Sequence, residues 1–225
     1  MKILFLGTGA ADWTVNDINN SEYRRNSSAL IDETLLIDPG PNVLEAFNTF
    51  NVDISKIKHV IVTHSHSDHY NPDTVEALKN MGAEVIRFKP MEEKQIGKYF
   101  ISAYKANHGT CLDSVHYIIN DGDKKLFYGL DSAWLLYEEV QAIIEKHINL
   151  AVLDATIGEV PGDYRVFEHN NLEMIRQMKL TLNQHVDKFV ISHMARTLHT
   201  NHDELCSLMQ KDQILVAKDG LTLEV

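Results

Sequence analysis

The sequence predicts an α/β fold, a four-layer αββα sandwich in which two sheets carry helices on their outer faces. Three observations predict it. Short β-branched and aromatic runs recur along all 225 residues, helical periodicity follows only selected runs, and one continuously apolar strand pattern opens into THSHSDH at residues 63 to 69. No composition step, low-complexity tract or Pro/Gly/Ser-rich linker divides the chain, so residues 1–225 read as one domain.

In order, strands are expected at KILFLG (2–7), SALIDE (28–33), TLLIDP (34–39), HVIVTH (59–64), EVIRF (84–88), YFISAYKA (99–106) and VHYIIN (115–120). KLFYGLD (125–131), LAVLDA (150–155) and KFVISH (188–193) continue the series, and QILVA and LTLEV close it with Asp219-Gly220 as the turn between them. Helical spacing appears in NPDTVEALKNM, LLYEEVQAIIEKH, HNNLEMIRQMKLTLNQ and HDELCSLMQ. KHVIVTHSHSDH (58–69) and DKFVISHMARTLH (187–199) both run through an apolar strand into a histidine-bearing loop. Either the halves of the molecule repeat one plan or two strand-loop units look alike by chance.

Composition excludes several partners. The chain is 44% hydrophobic and 24% charged, with 21 basic against 32 acidic residues and a net charge of −11. Polyanion grooves need clustered Lys and Arg, so DNA and tRNA are not expected as partners. No run approaches the roughly 18 apolar residues of a membrane span, and MKILFLGTG stops at Gly7 without a cleavage site, so a cytoplasmic protein is expected. Cys111 and Cys206 form no CxxC pair, which fits a reducing compartment and leaves any metal site to His and Asp.

HVIVT is apolar on both faces and is therefore expected to be a central strand. Its carboxyl end delivers His64, Ser65 and His66, with Asp68 and His69 where the next helix begins. Imidazoles bind Zn(II), Mn(II) or Fe(II), and a carboxylate adds charge and a bridging oxygen. Four such groups within six residues cannot converge on one ion from a tight loop, so two neighbouring ions are expected. Further donors stand at other strand ends: His108 after YFISAYKAN, Asp131 in KLFYGLD and His193 in KFVISH.

Taken in that order, with Asp38 in LLIDPG before them, these motifs resemble the metallo-β-lactamase-fold hydrolases. His169 in VFEHNNLEMI, with EYRRNSSALID, LAVLDATIG and AKDGLTLEV, is similar to the phosphodiesterase branch that includes ribonuclease Z and the cyclic phosphodiesterase of the carbon-phosphorus lyase pathway. The resemblance implies His64, His66 and His108 on a first metal, Asp68, His69 and His193 on a second, and Asp131 bridging both. It implies two divalent ions per chain, Zn(II) or Mn(II) with Fe(II) as a further candidate, and gives His169 and Asp68 catalytic roles. His169 would protonate the leaving alkoxide, and Asp68 would hold a metal-bridging hydroxide in line.

The expected function is thus a metal-dependent phosphodiesterase for a small or cyclic phosphodiester. The alternative is a lactonase or thioesterase of the same fold, ahead of a tRNA-processing ribonuclease or a non-enzymatic metal binder. Many relatives are homodimers, an assembly the resemblance leaves open here. Two departures stand out: ADWTVNDINNSEYRR lacks the cysteines of a structural zinc found in the carbon-phosphorus lyase enzyme, and Arg196 stands where a further histidine of that site is expected.

Other residues have two readings each. Asp38 and Asp154 either orient ligand imidazoles or close strand-end turns. Arg24 and Arg25 either contact a phosphate or lie in a solvated turn, and His199 and His202 either line the pocket or cap and cover the surface. His59, His116, His147 and His185 are expected to be ordinary surface or core-edge residues.

Overall fold

The computed structural model describes residues 1–225, leaving aside the side chain of Val15. The chain runs through β1 (Lys2–Gly7), β2 (Ser28–Ile31), β3 (Leu35–Ile37), α1 (Val43–Thr49), β4 (His59–Val62), α2 (Pro72–Asn80) and β5 (Glu84–Arg87). It continues through β6 (Glu93–Ile96), β7 (Tyr99–Lys105), β8 (Val115–Asn120), β9 (Lys125–Gly129), α3 (Tyr137–Lys146) and β10 (Ile148–Asp154). It closes with α4 (Leu172–Leu182), β11 (Val186–Ser192), α5 (His202–Gln210), β12 (Ile214–Val216) and β13 (Thr222–Glu224).

Two mixed sheets result, in the orders β13-β1-β2-β3-β4-β5 and β12-β11-β10-β9-β8-β7-β6. Period-two alternation assigns each strand's apolar residues to opposite layers. Ile61 joins Ile3, Tyr117 and Val152 between the sheets, while its neighbour Val60 packs with Phe47 of α1 and Leu78 of α2. On the far face, Ala151 and Ile191 meet Ile143 of α3, Ile175 of α4 and Leu205 of α5. Three apolar interfaces separate four layers, as the sequence predicts.

Several expectations change. β4 is interior but not central, being next to the edge strand β5; HVIVT is apolar on both faces because one meets the other sheet and one meets helices. β12 and β13 do not pair with each other, since β12 extends one sheet and β13 the other. β6 and α1 have no counterpart in the expected elements.

His116 is a correction of another kind. It is fully buried rather than a surface or core-edge residue. Its Nδ1 donates to Glu139 of α3, also fully buried, and its Nε2 donates to the carbonyl of Leu130, next to Asp131. Burial alone would push this imidazole down, but the Glu139 charge and hydrogen bond outweigh burial and its pKa is raised. Glu139 also accepts from the Leu136 backbone N–H at 2.8 Å, so one carboxylate caps α3 and ties it to the sheet.

A second tie crosses the core: the Tyr117 hydroxyl of β8 donates to the Val62 carbonyl of β4 at 2.6 Å, joining the two sheets directly beneath THSHSDH. Among the described residues, no helix is long and apolar enough to cross a membrane.

Removing one member of the buried His116–Glu139 pair strands the other, so Glu139→Leu is expected to cost roughly 3–5 kcal/mol in urea unfolding. Because the folded His116 pKa is raised, the stability that the charged imidazole adds is complete below the ordinary histidine pKa. It fades as pH rises through the folded value. The wild-type advantage over His116→Phe in unfolding free energy should shrink with that sign, and an advantage growing with pH would contradict the pairing.

Candidate metal centre

The candidate residues lie just past the carboxyl ends of β3, β4, β7, β9, β10 and β11, the usual place for a site in a layered α/β fold. After β4 the chain turns tightly, with the N–H groups of His69 and Tyr70 donating to the His66 carbonyl at 3.0 and 2.9 Å. Asn71 then caps α2 by accepting from the Thr74 N–H at 2.9 Å, and Pro72 opens the helix. Gly40 lets the turn after β3 press against this loop, since a Cβ there would lie 2.3 Å from the Asp68 carbonyl oxygen.

Asp38, Asp131 and His193 all have left-handed backbones, with φ of 60°, 55° and 62°. Such conformations cost roughly 1–3 kcal/mol each and persist where the surroundings over-determine them.

Two groups form, with Asp131 between them. His64, His66 and His108 offer donor atoms within 4.8 Å of one another, as do Asp68, His69 and His193. Asp131 shares a similar group with His64 and His69. Its Oδ2 lies 2.7 Å from His69 Nε2 and 3.1 Å from His193 Nε2, and its Oδ1 lies 4.0 Å from His108 Nε2. Despite that closeness, Asp131 Oδ2 makes no hydrogen bond, and neither does the buried His64 Nε2. His69 Nε2 and His193 Nε2 approach to 3.3 Å and His108 Nε2 and His66 Nδ1 to 3.2 Å, so imidazole nitrogens and carboxylate oxygens converge into a donor set that fits first-row divalent ions.

The ring orientations come from two carboxylates used in the same way. Asp38 accepts from the Thr63 N–H at 2.7 Å, the Thr63 hydroxyl at 2.8 Å and His69 Nδ1 at 2.8 Å. With its proton on Asp38, the Thr63 oxygen accepts from His64 Nδ1 at 3.0 Å. Asp154 accepts from the Asp131 N–H at 3.0 Å, the Thr156 hydroxyl at 3.1 Å and His169 Nδ1 at 2.9 Å. The Thr156 oxygen accepts from His193 Nδ1 at 2.7 Å. Each arrangement puts the proton on Nδ1 and leaves the Nε2 lone pair free in the neutral ring, the tautomer a ligand needs.

Asp38 and Asp154 therefore act through imidazoles, and the strand ends of the two sheets repeat one plan. Asp154 also belongs to a group of four potential donors with Asp131, His169 and His193, but its oxygens are already committed.

Charge follows the same division. Burial pushes the His64 and His108 imidazoles down. Burial also opposes charge on His69 and His193, but the surrounding carboxylates prevail, Asp131 foremost, raising His69 well above the ordinary value and His193 to about 10. Against its own burial, Asp131 is held well below the usual carboxylate range by His193 and His69.

His66, Asp68, His108, Asp131 and His193 face a cleft of about 210 Å³ that Asp12, Thr110, Arg165 and Glu168 also line, while His64 and His69 lie behind its wall. His169 enters it from the turn before α4, its ring centroid 5.3 Å from that of His108 and 5.6 Å from that of His193. It thus sits beside one member of each group. A larger cavity of about 530 Å³ lies elsewhere, lined by Lys2, Asp32, Phe50 and Lys56, and has no histidine in its walls.

Some candidates are not brought to the cleft. Arg24 is buried and donates to Thr8, the Ala217 carbonyl and His202, while Arg25 pairs with Glu45 and Asp219. Neither lies in a solvated turn or faces the cleft. His199 donates to the Ala155 carbonyl at 2.6 Å, bracing the turn that carries Thr156. Arg196, which stands where the sequence comparison expects a further histidine, donates to the Asp12 carbonyl and its backbone N–H to the Asp12 carboxylate, and the Trp13 indole donates to the Met194 carbonyl.

Thr63, Thr156 and Arg165 were not candidates. The two threonines had a faint signal, next to His64 and two residues after Asp154; Arg165 had none.

The fold is the metallo-β-lactamase fold. The metallo-β-lactamase-fold protein YhfI from Bacillus subtilis aligns over 100% of this chain and 99% of its own, at a TM-score of 0.74 and 16% identity. A diphosphatase of the PhnP family aligns over 100% and 97% at 0.72 and 18%, and Zn(2+)-bound PqqB from Methylobacterium extorquens over 100% of both chains at 0.76 and 14%. The family profile of the anti-Pycsar protein Apyc1 matches residues 1–72, which include Asp38 and the whole histidine-rich loop. Ribonuclease J of Mycoplasma genitalium is 20% identical over 86% of the chain, which spans 41% of that protein's length.

Asp38→Ala should weaken metal binding about 10–100-fold, because His69 and His64 lose their orienting partner. Competition with a chromophoric chelator measures it, and unchanged affinity would show that these hydrogen bonds do not hold the ligands.

Proposed function

We propose that the protein is a dinuclear metal-dependent hydrolase that cleaves a small or cyclic phosphodiester. His64, His66 and His108 would hold one divalent ion, Asp68, His69 and His193 the other, with Asp131 shared. Bound ions would supply Lewis acidity toward a phosphoryl oxygen and lower the pKa of a bound water toward neutrality.

The observation that carries the reading is His169. Its Nδ1 proton is committed to Asp154, and its Nε2 makes no hydrogen bond to the described residues while the ring lines the cleft. Burial would lower its pKa, but Asp154 raises it, which keeps a proton available at Nε2. An alkoxide leaving a phosphodiester needs that proton; a thiolate leaving a thioester does not. Asp68 lies across the cleft, with Oδ2 3.3 Å from His69 Nε2 and 3.7 Å from His193 Nε2, where a carboxylate can orient an attacking water. The size of the cleft and the net charge of −11 support a small substrate over tRNA. The likeness in fold to a PhnP-family diphosphatase and to the short form of human tRNase Z supports phosphoester chemistry over the lactonase or thioesterase alternative.

The test compares metal-loaded wild type with His169→Ala at matched metal content, on bis(p-nitrophenyl) phosphate and on a cyclic phosphodiester whose leaving group is an alkoxide. Loss of general acid catalysis should cost about 10²–10⁴-fold on the cyclic substrate and far less on the activated one. Metal-loaded protein inert toward both, yet active on lactones or thioesters, would contradict the reading.

A further inference from the structure

Asp12, Asp68, Asp131 and Glu168 put four carboxylates into the cleft wall, and among the described lining residues Arg165 is the sole lysine or arginine. Such a residue can be an incidental surface cation or an aimed one. The local geometry favours the second. Asp163 Oδ1 accepts from both the Arg165 backbone N–H at 2.9 Å and Nε at 2.8 Å, and Oδ2 accepts from Nη2 at 2.6 Å. The carboxylate thus grips the backbone and one edge of the guanidinium from only two residues away.

The grip leaves Nη1 without an ion pair or hydrogen bond among the described residues, although Glu168 lies in the same wall. Arg165 is also fixed relative to His169, because its carbonyl accepts the His169 N–H at 2.8 Å and the Glu168 N–H at 2.9 Å. One short turn, residues 164–167, therefore carries the free edge of a clamped guanidinium and leads straight into the imidazole that lines the same cleft. A planar cation held in place before the ligand arrives loses little entropy on binding and suits the oxygens of a phosphate.

We propose that Arg165 is the residue that recognises the anionic phosphate of the substrate, donating from Nη1 to a non-bridging oxygen and selecting phosphodiesters over uncharged esters and lactones. This rests on the phosphodiester reading above and adds a specificity element to it. Asp163 serves as its positioning residue and makes no contact with the substrate. The tyrosine between them, Tyr164, is largely exposed, and its ring centroid lies 5.9 Å from the guanidinium carbon of Arg165.

The experiment uses metal-loaded wild type, R165Q, R165K and D163N, each checked for metal content. It measures KM and kcat on bis(p-nitrophenyl) phosphate and, by calorimetry, Kd for inorganic phosphate. Loss of a charge-assisted hydrogen bond should raise KM and phosphate Kd in R165Q by about 10–100-fold. The change in kcat should be far smaller, because binding rather than the chemical step is affected. R165K should recover part of the loss as a point charge without the fork, and D163N should show a smaller rise than R165Q.

R165Q with wild-type KM and phosphate Kd would overturn the proposal. So would a fall in kcat alone, or loss of metal in R165Q, which would move the role of Arg165 to the metal centre. If wild type turns over no phosphodiester, the proposed function fails, but the calorimetric comparison still decides Arg165: equal phosphate Kd overturns it and weaker binding by R165Q upholds it.

Discussion

The centre depends on a buried carboxylate at the strand ends of each sheet, bonded to a threonine hydroxyl and to imidazole Nδ1 protons. Asp38 does this for His64 and His69, and Asp154 for His193 and His169. Without them the rings would be free to rotate and to change tautomer, and the nitrogens that now converge on Asp131 would not be held there. The parallel pairing of neighbouring strands makes the arrangement reachable. Ile37 of β3 is in register with Ile61 of β4, and Asp154 of β10 with Ser192 of β11, so each carboxylate arrives beside the loop it must brace.

The rest of the fold holds these strand ends still. Three residues of the centre sit in left-handed conformations, and their strain is offset by what surrounds them. The Tyr117 bond to Val62 joins the sheets under the histidine-rich loop, and His116 and Glu139 fix the Leu130 carbonyl next to Asp131. A close cluster of imidazoles and carboxylates is costly to bury unless charges are matched. The raised His69 and His193 beside the depressed Asp131 are that matching within the protein itself.

The sequence was most legible where the chemistry is local. Five of the seven candidate metal ligands could be placed against single strand ends, and four lie within THSHSDH. The four-layer arrangement followed from apolar runs with two different periods. What stayed hidden depended on tertiary context. β6 reads as Glu-Lys-Gln-Ile and pairs on one side only, so it carries no continuous apolar signal. The apolar His116 neighbourhood looked unremarkable because its partner Glu139 lies on a helix 23 residues away. Asp154 could equally have been a turn residue until the β10–β11 register placed it beside His193. Arg165 means nothing without the fold, since only the turn into His169 puts its guanidinium at the cleft.

The central claim is a pair of ions sharing Asp131. Electron paramagnetic resonance of Mn(II)-loaded protein, with metal content determined on the same sample, tests it most directly. Two ions per chain with an exchange-coupled spectrum, replaced by an uncoupled spectrum in Asp131→Ala, is the predicted result. One ion per chain, or two with an uncoupled spectrum in the wild type, would contradict it.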